Sequence, residues 1–340
     1  TALFLSTLLP FAWTAPDRES FAKEDRPIEG VPVDAFELGD ANLTIELWAR
    51  SPLVYSPVAM DFDAQGRLWV TEGIDYNQGL RVQTGRSIMV VEDKDGDGKA
   101  DHSHPFVTEK EIRHAPLGIA VFDNRIVLSS TPSIIVYTDV DRNTVFDPKV
   151  DKREVFLTGF QNKGHDHTLH AAVGSPSGQW YFSFGNCGAD LKTKDGRHFL
   201  AGCYYGHSEA IGKKSSDGRL WIGGVAMRMN PDGTGLTAVG HNLRNTHDMA
   251  VSSFGDMFHS DNDDPAHCRS TWLMEYGNLG YADLRDASRS WEEVAKTWEV
   301  PNSKGKRYAM SHWRQNYPGS LPPGTVYGAG SPIGQTFHEG

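Results

Sequence analysis

The chain has 340 residues, 39% hydrophobic and 11% aromatic, enough to bury a large core as one big all-β domain or two smaller ones. Its formal net charge of -11, from 44 acidic and 33 basic residues, comes without any basic run, which excludes a phosphate footprint and makes nucleic acid an unexpected partner. A cationic ligand or bound metal ions suit that charge better. With 35 Gly, 18 Pro and few long helical patterns, the composition favours many short strands joined by turns.

In chain order, residues 1–15 carry the apolar run Ala2 to Trp13, ALFLSTLLPFAW, which reads as the core of a secretory signal and is short for a bilayer span. Thr14-Ala15-Pro16 offers a loose cleavage site, so the expectation is a periplasmic or extracellular protein; the alternative is an apolar arm packed on the domain. Residues 16–32 are polar, charged and Pro-containing, and read as a linker. From residue 33 to 340 the chain reads as one β-propeller domain. Leu43 to Trp48 alternates and is expected as a strand that closes a ring.

A repeat carries that fold reading. Ser56 to Gly73 (SPVAMDFDAQGRLWVTEG), Ala115 to Ser130 (APLGIAVFDNRIVLSS), Gly164 to Gly188 (GHDHTLHAAVGSPSGQWYFSFGNCG) and Arg244 to Asp263 (RNTHDMAVSSFGDMFHSDND) share one plan. Each has a polar or Pro lead-in, a short apolar strand, a Gly- or Asn-centred turn and a second apolar strand. Gly330 to Gly340 (GSPIGQTFHEG) begins the plan again. Spacings of about 50 to 85 residues suit propeller blades with insertions. The expectation is four blades and the start of a fifth, the N-terminal part of a longer domain. Asp190 to Leu220 reads as a long loop inserted in the third blade, and Ser288 to Tyr317 as a second insertion with a short helix from Ser288 to Trp298.

Two acidic loops follow third strands. Asp93, Asp95, Asp97 and Asp101 occupy positions one, three, five and nine of a calcium-type loop, with Gly98 at six. The glycine permits the sharp turn that lets carboxylates converge. His104 stands where a bidentate Glu would complete the shell. Asp139, Asp141, Asn143 and Asp147 repeat the spacing without the glycine. Ca2+ is the ion such oxygen ligands select; a solvated acidic turn is the alternative.

The histidines define the candidate active site. Inner strands of a propeller start at one rim of its channel, so their lead-ins converge there. Those lead-ins supply His114, the cluster His165, His167 and His170, then Arg244, Asn245, His247 and Asp248, and Ser331. A His can act there as a general base, and an Arg can hold a carboxylate or oxyanion. The run H-D-H-x-x-H can instead bind a transition metal. A polar channel lining explains the same residues with no chemistry at all. Asp261-Asn262-Asp263-Asp264 ends a strand with Arg269 close behind, facing channel or solvent. Cys187 and Cys203 can pair or remain buried thiols beside Cys268, and no C-x-x-C-H occurs, so covalent haem is not expected within this chain.

HDHTLHAAVGSPSGQWYFSFGNCG, HNLRNTHDMAVSSFGDMFHSDNDD and HWRQNYPGSLPPGTVYGAGSPIG resemble the propeller region of planctomycete-type membrane-bound dehydrogenases, which often carry a C-terminal c-type haem domain. This resemblance covers about Val33 to Gly340. More distantly the chain resembles the glucose and sorbosone dehydrogenases, six-bladed propellers that use pyrroloquinoline quinone and calcium. That second resemblance rests on Asp166-His167 ahead of the YF strand and on Arg244-Asn245 ahead of the next hairpin. It implies that His167 takes a sugar hydroxyl proton and that Arg244 and Asn245 line a quinone site; His170 has no counterpart there. Three functions follow as expectations. The first is an exported oxidoreductase acting on a sugar or polyol, passing electrons to a c-type cytochrome domain or partner. The second is a carbohydrate-active lyase or hydrolase using His or metal in the same funnel. The third is a non-catalytic binding module.

Overall fold

The computed structural model describes residues 36–73, 86–109, 116–162, 166–262, 268–284, 287, 299–301, 307–309, 313, 318–328 and 333–339. His114, His165, Ser331, Asp263 and Asp264 lie outside them, as do residues 1–15, the linker and the helix expected from Ser288 to Trp298.

The described residues form blades. The first has β1 (Pro57–Phe62), β2 (Leu68–Glu72), β3 (Arg86–Glu92) and β4 (His102–Glu109), in that order across an antiparallel sheet. The second repeats the order with β5 (Gly118–Phe122), β6 (Arg125–Ser130), β7 (Ser133–Thr138) and β8 (Lys152–Thr158). In the third, β9 (Leu169–Gly174) and β10 (Trp180–Phe184) pair, and the chain then leaves the sheet. It forms a small sheet of β11 (Ala189–Lys192), β12 (His198–Gly202) and β13 (Trp221–Ile222), and returns as β14 (Gly224–Met229) and β15 (Thr237–Leu243). The fourth holds β16 (Thr246–Val251), β17 (Met257–Asp261), β18 (Cys268–Trp272) and, beyond β19 (Gly277–Asn278), β20 (Glu299–Pro301) and β21 (Arg307–Ala309), the returning β22 (Thr325–Gly328). β19 adds to β15 in parallel. This is an all-β propeller.

Middle strands read as continuous apolar runs because neighbouring blades cover both faces. In β6 the run Ile126, Val127 and Leu128 is buried throughout, as are Ile134 to Tyr137 in β7. The second and third blades share one core, in which Val127, Val136 and Phe156 meet Trp180, Phe182 and Met227. The inner strands stand side by side, β1 beside β5, β5 beside β9 and β9 beside β16. Residues 333–339 lie against the fourth blade. The Gln335 N–H donates to Asp248 Oδ2 at 3.2 Å, and Phe337 meets the edge of Phe258 with ring centroids 5.6 Å apart. They are placed where a fifth inner strand would start but form no strand themselves.

Two expectations change, and of the two readings left open for the cysteines the buried thiols hold. Leu43 to Trp48 is not a strand; Trp48 instead accepts the Ala100 N–H on its carbonyl and packs on Leu68, Val70, Met89 and Val91. The insertion from Asp190 to Leu220 is no bare loop, because it carries the β11–β13 sheet. Cys187, Cys203 and Cys268 are buried thiols, none in a disulfide.

One irregularity positions the site. The β9–β10 ladder pairs Val173 with Tyr181 but His170 with Ser183, so one extra residue of β9 is inserted between them. The bulge falls at Ala171, which takes φ 35°, a region that costs a residue with a Cβ. Ser129 Oγ donates to the Ala171 carbonyl at 2.8 Å and fixes the bulge from the next blade. Across the channel wall Gly118 makes room for it: a Cβ there would stand 2.8 Å from Ala171 C and 3.0 Å from its N and Cα. Gly118→Ala should therefore cost roughly 1–3 kcal/mol of stability, read from urea denaturation, since neither backbone can give way cheaply.

Candidate functional site

The bulge sets what stands across the hairpin. Continuing its register past Ser183 and His170 brings the residue after Gly185 opposite His167. There the His167 Nδ1–H donates to Asn186 Oδ1 at 2.6 Å. The loop is pinned on both sides. Cys187 N–H donates to the His167 carbonyl at 3.0 Å, Gly185 N–H to that of Thr168 at 2.8 Å, and Asn186 N–H to that of Arg244 at 2.8 Å. Gly185 must be Gly, because a Cβ would meet His167 backbone and Asn245 Oδ1 at 2.9 Å. Tyr205, from the β11–β13 insertion, lays its ring over His167 with centroids 5.3 Å apart.

The fourth blade closes the cluster. Asp261, fully buried at the end of β17, accepts Arg244 N–H at 3.0 Å and Asn245 N–H at 2.7 Å. Arg244 Nη1 donates to Asn262 Oδ1 at 2.5 Å and to its carbonyl at 3.2 Å. Asn245 Nδ2 donates to Asp166 Oδ2 at 3.4 Å. His167, His170, Arg244 and Asn245 thus meet at one rim, where β9 and β16 begin. Asp261 faces neither channel nor solvent, contrary to the sequence expectation. It sits in the register opposite Arg269, whose guanidinium lies over Trp313 at 4.2 Å. Burial pushes the Asp261 carboxyl above its usual range and the Arg269 guanidinium below its own.

His170 has a different station. It is fully buried, its Nε2–H donates to the Asp166 carbonyl, and its ring lies 4.7 Å from that of His247. Burial, then the neighbouring His247, hold it well below the usual imidazole value, so it stays neutral. It braces the Asp166–His167 turn from beneath, with no exposed surface of its own.

His247 and Asp248 face the channel. A cavity of about 760 Å3 runs between β1, β5, β9, β16 and residues 333–336, lined by Asp61, Gly118, Ala171, His247, Asp248 and Gln335 among others. Burial raises Asp61 and lifts Asp248 to about 6. His247 touches both this cavity and His170, whereas His167, His170, Arg244 and Asn245 are buried and do not line it, contrary to the expectation that all the lead-ins face one channel.

The acidic loops are sorted as well. Asp93, Asp95 and Asp97 each bring a carboxylate oxygen within 4.8 Å of the others. Asp101 does not join them; its Oδ1 accepts Lys94 N–H at 3.1 Å. In the second loop the group is Asp139, Asp141 and Asp151. Asn143 Oδ1 is bonded to Val145 N–H and Asp147 Oδ1 to Lys149 N–H. Asp151 was invisible to the spacing argument because it sits beyond the loop, at the start of β8.

A family profile described as "Domain of unknown function (DUF7133)" matches residues 34–320. The chain belongs to this family. No curated protein matches the sequence. Among solved structures, a Trichoderma reesei protein of Carbohydrate-Active Enzymes Family AA12 is similar at TM-score 0.51 and 14% identity, over 86% of this chain and 73% of that one. At that identity the likeness concerns the fold. Two others are a PQQ-bound aldose sugar dehydrogenase from Streptomyces coelicolor (TM-score 0.46, 16% identity, 67% of this chain and 62% of that one) and the PQQ domain of pyranose dehydrogenase from Coprinopsis cinerea (0.44, 15%, 68% and 55%).

Sequence reasoning passed over Asn186 and Tyr205. Asn186 was within reach, since the end of a hairpin's second strand must face the start of its first. Tyr205 arrives from an insertion, and no spacing rule places it.

Asp248 yields a pH prediction. A carboxyl held at about 6 when folded, against 3.8 ordinarily, keeps its proton in the native state alone between those values. The stability it contributes is present below about pH 4 and lost as pH rises through about 6. Relative to Asp248→Asn, the wild type should lose up to about 3 kcal/mol across that window. Thermal unfolding of both proteins at several pH values measures this.

Proposed function

We propose that the chain is an oxidoreductase that oxidises a hydroxyl of a sugar or polyol, with His167 as the base. The observation that carries this is the fixed tautomer of His167. A neutral imidazole that donates from Nδ1 to Asn186 holds its lone pair on Nε2, the form a base needs. Asn186 thereby acts as the orienting partner that such bases have in other enzymes. Arg244, fixed through its own N–H to Asp261 and through its guanidinium to Asn262, would steady the alkoxide charge that develops as the proton leaves.

Loss of a hydroxyl proton to His167 must be matched by hydride leaving carbon. Pyrroloquinoline quinone, when bound, supplies a hydride acceptor. One feature of the rim suits such a group: Asn186 Nδ2 is a buried donor with no hydrogen-bond partner, beside Arg244 and Asn245, whose side chains donate to Asn262 and Asp166. Asp93, Asp95 and Asp97 offer the convergent carboxylates that Ca2+ takes. The apolar run Ala2 to Trp13 supports export, to the periplasm or outside the cell, where a c-type cytochrome would accept the electrons.

Protein loaded with quinone and calcium should reduce an artificial electron acceptor when aldoses or polyols are added. His167→Asn should lower that rate roughly a hundredfold or more while leaving the melting temperature nearly unchanged. Full activity in His167→Asn, or no turnover of any sugar or polyol by loaded wild type, overturns the proposal. Chelation should lower the melting temperature of the wild type, and Asp95→Ala should remove that sensitivity. Equal melting with and without chelator leaves the first acidic loop as a solvated turn.

A further inference from the structure

A second metal-ligand set stands away from the rim, on the outer edge of the first blade. Glu92 ends β3, and it pairs directly with His102 on β4; His104 lies two residues on, opposite Val90. Residues two apart on a strand share a face, so both imidazoles and the carboxylate project from one side of the sheet. Glu92 Oε2 lies 3.9 Å from His102 Nε2 and 3.9 Å from His104 Nδ1.

The tautomer of His104 decides what this arrangement is for. Its Nε2 faces the Thr144 carbonyl at 3.2 Å and Thr144 Oγ1 at 3.0 Å. The Thr144 hydroxyl already donates its hydrogen to the Asn143 carbonyl at 2.6 Å. Both oxygens can therefore only accept, and the proton of a neutral ring must sit on Nε2. Nδ1 then carries the lone pair. It is buried, has no hydrogen-bond partner, and faces a carboxylate. A lone pair turned toward an anion is unfavourable, and a cation between them, a metal ion or a proton, relieves it. Lys94 Nζ, on a half-exposed side chain, lies 3.5 Å from that same Glu92 Oε2 and would have to swing away as a metal ion enters.

We infer that Glu92, His102 and His104 form a binding site for a zinc-type divalent transition metal, separate from the acidic loops and from the rim. Two imidazoles and a carboxylate are ligands such ions take, whereas calcium selects oxygen alone. Ligand atoms around tetrahedral zinc stand roughly 3.3–3.5 Å apart, so the two 3.9 Å separations from Glu92 need to close by about half an ångström, and the imidazole nitrogens, which lie within 4.8 Å of each other, must close as well. His104 has the outer partner that ligating histidines usually have, a carbonyl on its second nitrogen. His102 is 41% exposed, which leaves an approach from solvent and a fourth position for water. Because Thr144 belongs to the loop between β7 and β8, the metal would also tie the first blade to the second.

Isothermal titration of tag-free, full-length protein with Zn2+, in millimolar Ca2+ to occupy oxygen-only sites, tests this. Wild type should bind one equivalent. His102→Ala, a change at a partly exposed side chain, should weaken that binding by at least about a hundredfold, since even loss of an outer partner costs ten- to a hundredfold. Asp95→Ala should bind Zn2+ as the wild type does. Co2+ in place of Zn2+ should give visible absorption bands in the wild type that His102→Ala loses. No Zn2+ bound by wild type, or equal binding by His102→Ala with an unchanged circular dichroism spectrum, overturns the site. Loss of binding in Asp95→Ala also overturns it, because the metal would then belong to the acidic loop.

Discussion

The β-bulge at Ala171 is the constraint on which the rim depends. Side chains alternate along a strand, so one inserted residue turns every later side chain to the other face. On the strand's outer side Val173 pairs with Tyr181 and serves the core. Past the bulge the same strand meets Asn186 with His167. Without the extra residue Thr168 would stand opposite Asn186, and the imidazole would turn away from it. The bulge itself is held by three things outside its own hairpin: the absent Cβ of Gly118, the Ser129 hydroxyl and the packing of β5 on β9. Chemistry at the rim is thus bound to how two blades fit at the channel wall.

The second support is electrostatic. Asp261 carries no exposed surface, yet two backbone N–H groups converge on its oxygens from the start of β16. Those N–H groups have no ladder partner at the mouth of a blade, so a buried carboxylate serves them there. The cost of burying it is offset by those bonds and by Arg269 across the β17–β18 ladder. The result fixes the backbone of Arg244 and Asn245, whose side chains then reach Asn262 and Asp166. Residues that read as an exposed acidic run are in part the anchor of the site.

Much of this was legible in the sequence because blades repeat. Polar lead-in, strand, turn and strand recur with enough regularity to place β1, β5, β9 and β16, and inner-strand starts must converge. That geometry brought His167, Arg244 and Asn245 together before any coordinates. Where repetition fails, so does the reading. The β11–β13 insertion has no copy elsewhere, which hid both its strands and Tyr205. Leu43 to Trp48 alternates like a strand but pairs with no strand among the described residues, and its Trp48 is used for packing. His170 resembles His167 in sequence, and both are buried, but His170 bonds the Asp166 carbonyl through Nε2 and His167 bonds the Asn186 side chain through Nδ1, which a three-residue spacing cannot reveal. The acidic loops were read by spacing alone, and spacing cannot know that Asp101 turns back to Lys94 or that Asp151 folds in from β8.

The histidines of this chain divide by what holds their second nitrogen. His170 gives Nε2–H to a carbonyl beneath the rim and is walled in by Asp166 and His247, so its proton stays within the fold. His104 also gives Nε2–H to a carbonyl, but its Nδ1 looks toward Glu92 and His102, with His102 open to water. His167 gives Nδ1–H to an amide oxygen, which leaves the farther nitrogen to act away from its own backbone. Of these three, two meet a backbone carbonyl through Nε2 and one meets a side chain through Nδ1. Nδ1 lies close to the main chain and suits a bond within the hairpin, while Nε2 projects beyond it. A side-chain acceptor at Asn186, placed by a single bulge, is what sets the orientation of His167 apart from that of the other two.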